Sequence, residues 1–133
     1  MDSTSPEPPS RSILVVEDDA QLRALIALAL KQAGHEALFA SSGEDALDLM
    51  AAAEFDGLYC NIELPGQVDG WEVGTTFSFI WPDKPAVYVS ALRTDPPGRL
   101  RNGIFLRTPF AMDRLVQVFE AGAIAARARQ QLA

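Results

Sequence analysis

The chain has little of what disulfide-bonded, zinc-binding or membrane-spanning proteins require. Its single cysteine, Cys60, excludes an internal disulfide and leaves no thiol cluster for zinc. Cys60 lies in an apolar stretch, so we interpret it as a small buried hydrophobic residue rather than a redox centre. The sequence also shows neither a signal peptide nor an apolar run that could span a bilayer. We therefore expect a cytoplasmic protein that does not act on membranes.

Positive charge is scarce as well. The chain carries 11 Lys and Arg residues against 18 Asp and Glu residues, and its formal net charge is −7. Nucleic-acid backbones require a basic face, so this balance argues against nucleic-acid binding. Six arginines nevertheless fall within residues 99–129, together with only two acids. The C-terminal third is therefore either a solvated arginine face or a surface for an acidic partner.

The length of the chain predicts one folded domain. Its 133 residues are enough for one hydrophobic core and too few for two ordinary domains, and an apolar share of 48% is typical of a globular chain. Residues 1–11 are polar and rich in proline, which predicts a disordered tail. The folded domain is predicted to cover residues 12–130.

Short apolar strands alternate with amphipathic helices along the sequence. Strands are predicted at five places, namely residues 13–16, 36–40, 55–60, 86–89 and 104–106. Helices are predicted at four places, namely residues 20–33, 41–50, 71–80 and 112–130. Near-continuous apolar strands separated by helices predict a doubly wound α/β fold, with a parallel sheet covered on both faces.

The connection after the fourth strand departs from this alternation. The segment Thr94–Gly98 contains two consecutive prolines. Proline removes a backbone donor and keeps the residue before it away from helical angles, so the segment breaks a helix. We therefore predict that the helix after the fourth strand is shortened or missing.

Polar residues follow the carboxyl ends of the predicted strands. Glu17 and Asp18 come directly after the first strand, and Asn61, Ser90 and Thr108 follow the third, fourth and fifth. Because parallel strands end at one edge of a sheet, these side chains are predicted to share a pocket. Glu17 and Asp18 are either oxygen ligands for Mg²⁺ or charges at the start of the next helix. The bond between Thr108 and Pro109 is a candidate for the cis form.

The chain resembles the receiver domains of bacterial two-component response regulators over about residues 12–130. The likeness rests on segments in the right order and spacing, namely residues 13–19, 56–70, 89–91 and 108–110. It implies a flavodoxin-like, five-stranded parallel sheet with strand order 2-1-3-4-5. In that family an aspartate accepts a phosphoryl group from a histidine kinase, and Mg²⁺ is held by acids and one backbone carbonyl.

The resemblance also implies roles for individual positions. The metal ligands would be Glu17, Asp18 and the backbone carbonyl of Glu63. The switch hydroxyl would be Ser90, and the switch aromatic residue would be Phe105.

Two decisive positions depart from the family. Asn61 stands at the phosphoacceptor aspartate, and Thr108 stands at the lysine that contacts the phosphoryl group. A neutral amide is a poor nucleophile, so we expect no acyl phosphate at residue 61 and weakened Mg²⁺ binding. The missing lysine removes the charge that would hold phosphoryl oxygens. The two losses cancel in net charge, which favours a naturally degenerate site over an aspartate changed to asparagine.

These features lead to the hypothesis of a stand-alone, single-domain pseudo-receiver that is not an enzyme. It would act by contact with a histidine kinase or a histidine phosphotransfer protein in a two-component or phosphorelay pathway. Two alternatives stay open. One is a genuine aspartate-phosphorylated response regulator in which asparagine has replaced the acceptor, and the other is a small-ligand or metal sensor that uses the acidic pocket. A homodimer through the last strand and helix is a further alternative for the partner surface.

Overall fold

The computed structural model describes residues 12–91 and 103–121. Three predictions concern residues outside these ranges: the disordered tail at 1–11, the shortened connection within 92–102, and the last helix beyond residue 121. Within the described ranges, no helix is both long enough and apolar enough to cross a bilayer.

Strands and helices alternate through the described part of the chain, as the sequence predicts. The strands are β1 (Ser12–Val16), β2 (Glu36–Ala40), β3 (Gly57–Asn61), β4 (Ala86–Ser90) and β5 (Gly103–Arg107). The helices are α1 (Ala20–Gln32), α2 (Gly43–Ala52), α3 (Gly70–Ile80) and α4, which is described over residues 112–121. Every bound that can be compared agrees with its predicted position to within two residues.

The five strands form one parallel sheet in the order β2-β1-β3-β4-β5. The predicted fold class and strand order are thereby confirmed. Val16 of β1 pairs with Cys60 of β3, and Cys60 pairs with Tyr88 of β4. The residues that follow these three therefore lie side by side at the carboxyl edge of the sheet.

Alternate residues of the central strands enter two separate hydrophobic layers. One layer joins the sheet to α2 and α3, and its strand residues include Leu14, Val16, Leu58, Cys60 and Tyr88. The other layer joins the sheet to α1 and α4, and its strand residues include Ile13, Val15, Tyr59, Val87 and Val89. Because both faces are covered, β3 and β4 are almost entirely apolar, as expected for a parallel sheet.

Local signals in the sequence explain where the helices begin and end. Asp19, Ser42 and Asp69 precede α1, α2 and α3, and each side chain accepts a hydrogen bond from a backbone N–H of the first turn. These contacts satisfy donors that have no partner within the helix. After α1 the chain reverses at Gly34, whose φ of 90° is a conformation that favours glycine.

Candidate functional site

Polar side chains from three strands meet at the carboxyl edge of the sheet. Glu17 follows β1 directly, Asn61 ends β3, and Ser90 ends β4. Glu17 and Ser90 are each only 1% exposed, whereas Asn61 is partly buried and Asp18 is exposed. The predicted convergence of the first, third and fourth strand ends therefore exists, and two of its polar groups are almost fully removed from water.

The amide of Asn61 lies between the acidic pair and the loop after β3. Its Nδ2 donates to Glu17 Oε2 at 3.1 Å and to Asp18 Oδ1 at 3.4 Å, and its Oδ1 accepts from the backbone N–H of Glu63 at 3.1 Å. Carboxylates only accept and a backbone N–H only donates, so the hydrogen bonding itself determines this orientation of the amide. An aspartate carboxylate has no hydrogen to offer the two acids.

The side chain of Glu17 accepts three hydrogen bonds, one of them from Asn61. Tyr59 donates its hydroxyl to Glu17 Oε1 at 2.9 Å, and the backbone N–H of Asp19 donates to Oε2 at 3.2 Å. Burial raises the pKa of Glu17 above its usual value, although hydrogen bonds from Asp19, Tyr59 and Asn61 oppose that rise. Burial, together with the nearby Glu17 charge, also raises the pKa of Tyr59.

Tyr59 belongs to the site through its contact with Glu17, although the sequence analysis did not predict it. A signal for it exists, because Tyr59 lies two residues before Asn61 on the same strand and therefore on the same face of the sheet. A tyrosine on a buried strand also needs a partner for its hydroxyl, and the adjacent strand ends in Glu17.

A second cluster joins the loop after β3 to the end of β4. The hydroxyl of Ser90 lies 2.9 and 2.8 Å from the two carboxylate oxygens of Glu63. The backbone carbonyl of Ser90 accepts from the N–H of Thr108 at 3.2 Å, which ties β4 to the end of β5. The sequence predicted a role for the backbone carbonyl of Glu63 only, so the contact of its carboxylate with Ser90 is new. The bond between Thr108 and Pro109 is cis, as the sequence suggested.

Phe105 lies beside an aromatic side chain of α3. Its ring stacks on Trp71, with the ring centroids 6.3 Å apart and the planes inclined by 21°. Trp71 is in turn 5.6 Å from the ring of Tyr88 on β4. The predicted switch aromatic residue is therefore partly buried within the layer that joins the sheet to α2 and α3.

The sequence and the fold of the chain are similar to those of known proteins. The family model described as "Response regulator receiver domain" matches residues 13–120. The chain belongs to this family. The transcriptional regulatory protein TcrA of Mycobacterium tuberculosis is 31% identical to the chain over 107 residues, covering 77% of this chain and 42% of TcrA. The response regulator FleR of Pseudomonas aeruginosa is 30% identical over 112 residues, covering 84% of this chain and 22% of FleR.

Solved structures support the same assignment. A response regulator receiver protein from Sinorhizobium medicae superposes with a TM-score of 0.76 at 27% identity, covering 85% of this chain and 94% of that one. NtrX from Brucella abortus superposes with a TM-score of 0.77 at 26% identity, covering 93% of this chain and 29% of that one. This receiver domain spans less than half the length of the curated relatives it matches.

Receiver domains generally bind Mg²⁺ at their acidic pocket, and the polar groups of this pocket determine whether the ion fits here. Two acids, Glu17 and Asp18, remain, and the NH₂ group of Asn61 points at both of them. Mg²⁺ takes oxygen ligands in near-octahedral geometry. The NH₂ group of Asn61, which lies between the two acids, is a hydrogen-bond donor and cannot be a ligand. No cluster of three or more His, Cys, Asp or Glu side chains placed to hold a metal occurs within residues 12–91 and 103–121. The site in this arrangement does not fit Mg²⁺.

Proposed function

We propose that this receiver domain signals by protein–protein contact in a two-component or phosphorelay pathway without being phosphorylated at residue 61. The hydrogen-bonded amide of Asn61 is the observation that carries the proposal. Its Nδ2 donates to the carboxylates of Glu17 and Asp18, and its Oδ1 accepts from the backbone N–H of Glu63. An amide is a poor nucleophile, and here its polar atoms are already engaged.

The position of Thr108 supports the same proposal. Thr108 contributes its backbone N–H to the carbonyl of Ser90, and its side chain carries no charge at neutral pH. Transfer of a phosphoryl group depends largely on positive groups that hold the transferring oxygens. With a threonine here in place of a lysine, the charge that would hold such oxygens is lost together with the nucleophile.

The experiment that tests this function is intact mass spectrometry after incubation with acetyl phosphate and Mg²⁺. The chain as it stands should show no added phosphoryl group, and Asn61→Asp is the matched variant. Labelling of Asn61→Asp alone would identify residue 61 as the block to transfer. Labelling of neither protein would mean that Thr108 also disables the site. A phosphoryl group on residue 61 of the unaltered chain, located by peptide mass, would overturn the proposal.

The proposed partners are histidine kinases or histidine phosphotransfer proteins, because receiver domains generally interact with these proteins. Because the interaction would not depend on an acyl phosphate, binding should survive the pocket variants Glu17→Gln and Asn61→Ala. The measurement is a pull-down with the purified kinases and phosphotransfer proteins of the same genome. Binding that occurs only in the presence of a phosphoryl analogue would contradict a role based on contact alone.

A further inference from the structure

The loop after β3 brings a negative charge of the protein's own to the end of β4. Both carboxylate oxygens of Glu63 lie within 2.9 Å of the Ser90 hydroxyl. Ser90 is only 1% exposed, so this hydroxyl has little access to bulk water. A hydrogen bond from a hydroxyl to an ionised carboxylate is stronger than one between neutral groups, and low exposure preserves that strength.

Asn61 holds the backbone of Glu63 in place. Asn61 Oδ1 accepts from the Glu63 N–H, while Asn61 Nδ2 donates to Glu17. A continuous series of hydrogen bonds therefore runs from Glu17 through Asn61 and Glu63 to Ser90. It connects the carboxyl ends of β1, β3 and β4 through groups of this protein alone.

We propose that Glu63 is a built-in anion at the Ser90 hydroxyl. It occupies the position that a phosphoryl oxygen would take there, which we call the Ser90 subsite, so that Ser90 is held in one state without a phosphoryl group. This inference rests on the proposed function and adds how the site is regulated: the ligand for Ser90 is covalently part of the chain and always present. A phosphoryl oxygen would have to displace the carboxylate from a single hydroxyl hydrogen. Two anions at one hydroxyl also repel each other, and the repulsion is weakly screened at a buried site.

The same reasoning identifies which change frees the subsite. Glu63→Gln keeps the shape of the side chain and removes its charge, and Glu63→Ala removes both. Either change leaves the backbone N–H that Asn61 contacts. The carboxylate of Glu54, which is exposed two residues after the end of α2, offers a matched control for the loss of one negative charge.

The test uses beryllofluoride with Mg²⁺ as the phosphoryl analogue, in the Asn61→Asp background that supplies an acceptor carboxylate. Adding Glu63→Ala or Glu63→Gln should tighten apparent binding roughly tenfold, the scale of one hydrogen bond to a charged group, whereas adding Glu54→Gln should change nothing. Equal binding with and without Glu63 would overturn the inference. The unaltered chain, measured in parallel, should not bind; if it does, the proposed function fails while the comparison of the Glu63 variants stands.

A second measurement requires no adduct. In the otherwise unaltered chain, Glu63→Gln should shift the backbone amide resonances of Ser90 and of Thr108, whose N–H bonds to the Ser90 carbonyl. Glu54→Gln should leave both resonances in place. A folded Glu63→Gln protein with unshifted Ser90 and Thr108 amides would show that the carboxylate does not occupy the subsite.

Discussion

The side chain of Asn61 differs from an aspartate by one group, an NH₂ in place of a carboxylate oxygen. In a pocket that already contains Glu17 and Asp18, that group changes the sign of the local interaction. A third carboxylate would repel the other two unless a cation lay between them, whereas the amide donates to both. An asparagine at this position therefore offers no carboxylate nucleophile, and it supplies hydrogens to the two acids where a third carboxylate would need a cation.

Glu17 provides a pH-dependent test of the site at the scale of one residue. Burial raises its pKa above the ordinary 4.5, so the folded state holds a proton more tightly than the unfolded state. The contribution of Glu17 to stability should therefore be greatest at low pH and should be lost as the pH rises from about 4.5 through the raised pKa. Glu17→Gln, which cannot ionise, should gain in stability relative to the unaltered chain across that window.

Urea unfolding of both proteins between about pH 4 and about pH 8 measures this effect. The exposed Glu54→Gln variant controls for the loss of one negative charge. A difference between the unaltered chain and Glu17→Gln that stays constant with pH, or that changes in the opposite direction, would contradict a raised pKa for Glu17.

Some of the site was predictable from residue types and order alone, and some was not. Glu17 and Asn61 could be placed together because strand ends in a parallel sheet share an edge. The contact of the Glu63 carboxylate with Ser90 could not be predicted from the sequence. Glu63 lies in a loop, and the direction of a loop side chain depends on local backbone angles that the hydrophobic pattern does not indicate. The roles implied for Glu63 as a backbone ligand and for Ser90 as a switch remain predictions.

At the scale of elements, the alternation of apolar strands and amphipathic helices was enough to predict a parallel sheet covered on both faces. The strand order came from the resemblance to receiver domains. The start of β3 was predicted at Phe55 and is observed at Gly57. Asp56 explains it, because its carboxylate accepts from the Ser12 N–H at 3.0 Å and forms an ion pair with Lys84 at 3.0 Å. These side-chain contacts across neighbouring elements are invisible to a pattern of hydrophobicity along the strand.

Gly70 determines how closely α3 approaches the site, and Gly70→Ala tests that role. A Cβ there would meet the backbone carbonyl of Asn61 and lie 2.6 Å from the Ile62 Cα. Backbone atoms cannot rotate away, so α3 would have to move from β3, and we expect a loss of about 1–3 kcal/mol in the free energy of unfolding. Glu72→Ala, at an exposed position of the same helix, should cost no more than about 0.5 kcal/mol.

Chemical denaturation measures the free energy of unfolding of Gly70→Ala and Glu72→Ala. The amide resonance of Asn61 reports separately on the local structure at the end of β3. Gly70→Ala should shift the Asn61 resonance, since the added methyl group contacts that residue directly. Equal stability of the two variants would mean that α3 does not pack against the end of β3 as described.

At the scale of the whole molecule, the hydrogen-bonded edge joins strands that are distant in sequence. Glu17 and Ser90 lie at the ends of β1 and β4, and Asn61 and Glu63 connect them through β3. Because the Asn61 amide already donates to both acids, we expect this pocket to form on folding without a bound ion. The free energy of unfolding of the chain should then be independent of the ion that receiver domains generally bind.

A ligand that binds only the folded state stabilises the entire chain by mass action, at about 2.7 kcal/mol when its concentration is a hundredfold above the dissociation constant. We therefore expect Mg²⁺ to leave the unfolding free energy of the unaltered chain unchanged and to raise that of Asn61→Asp. The comparison is made at constant ionic strength with Na⁺, because exposed charges are screened by any salt. Asp18→Asn, added to Asn61→Asp, should abolish the gain. Equal stabilisation of the unaltered chain and Asn61→Asp would show that the Asn61 amide yields to the cation.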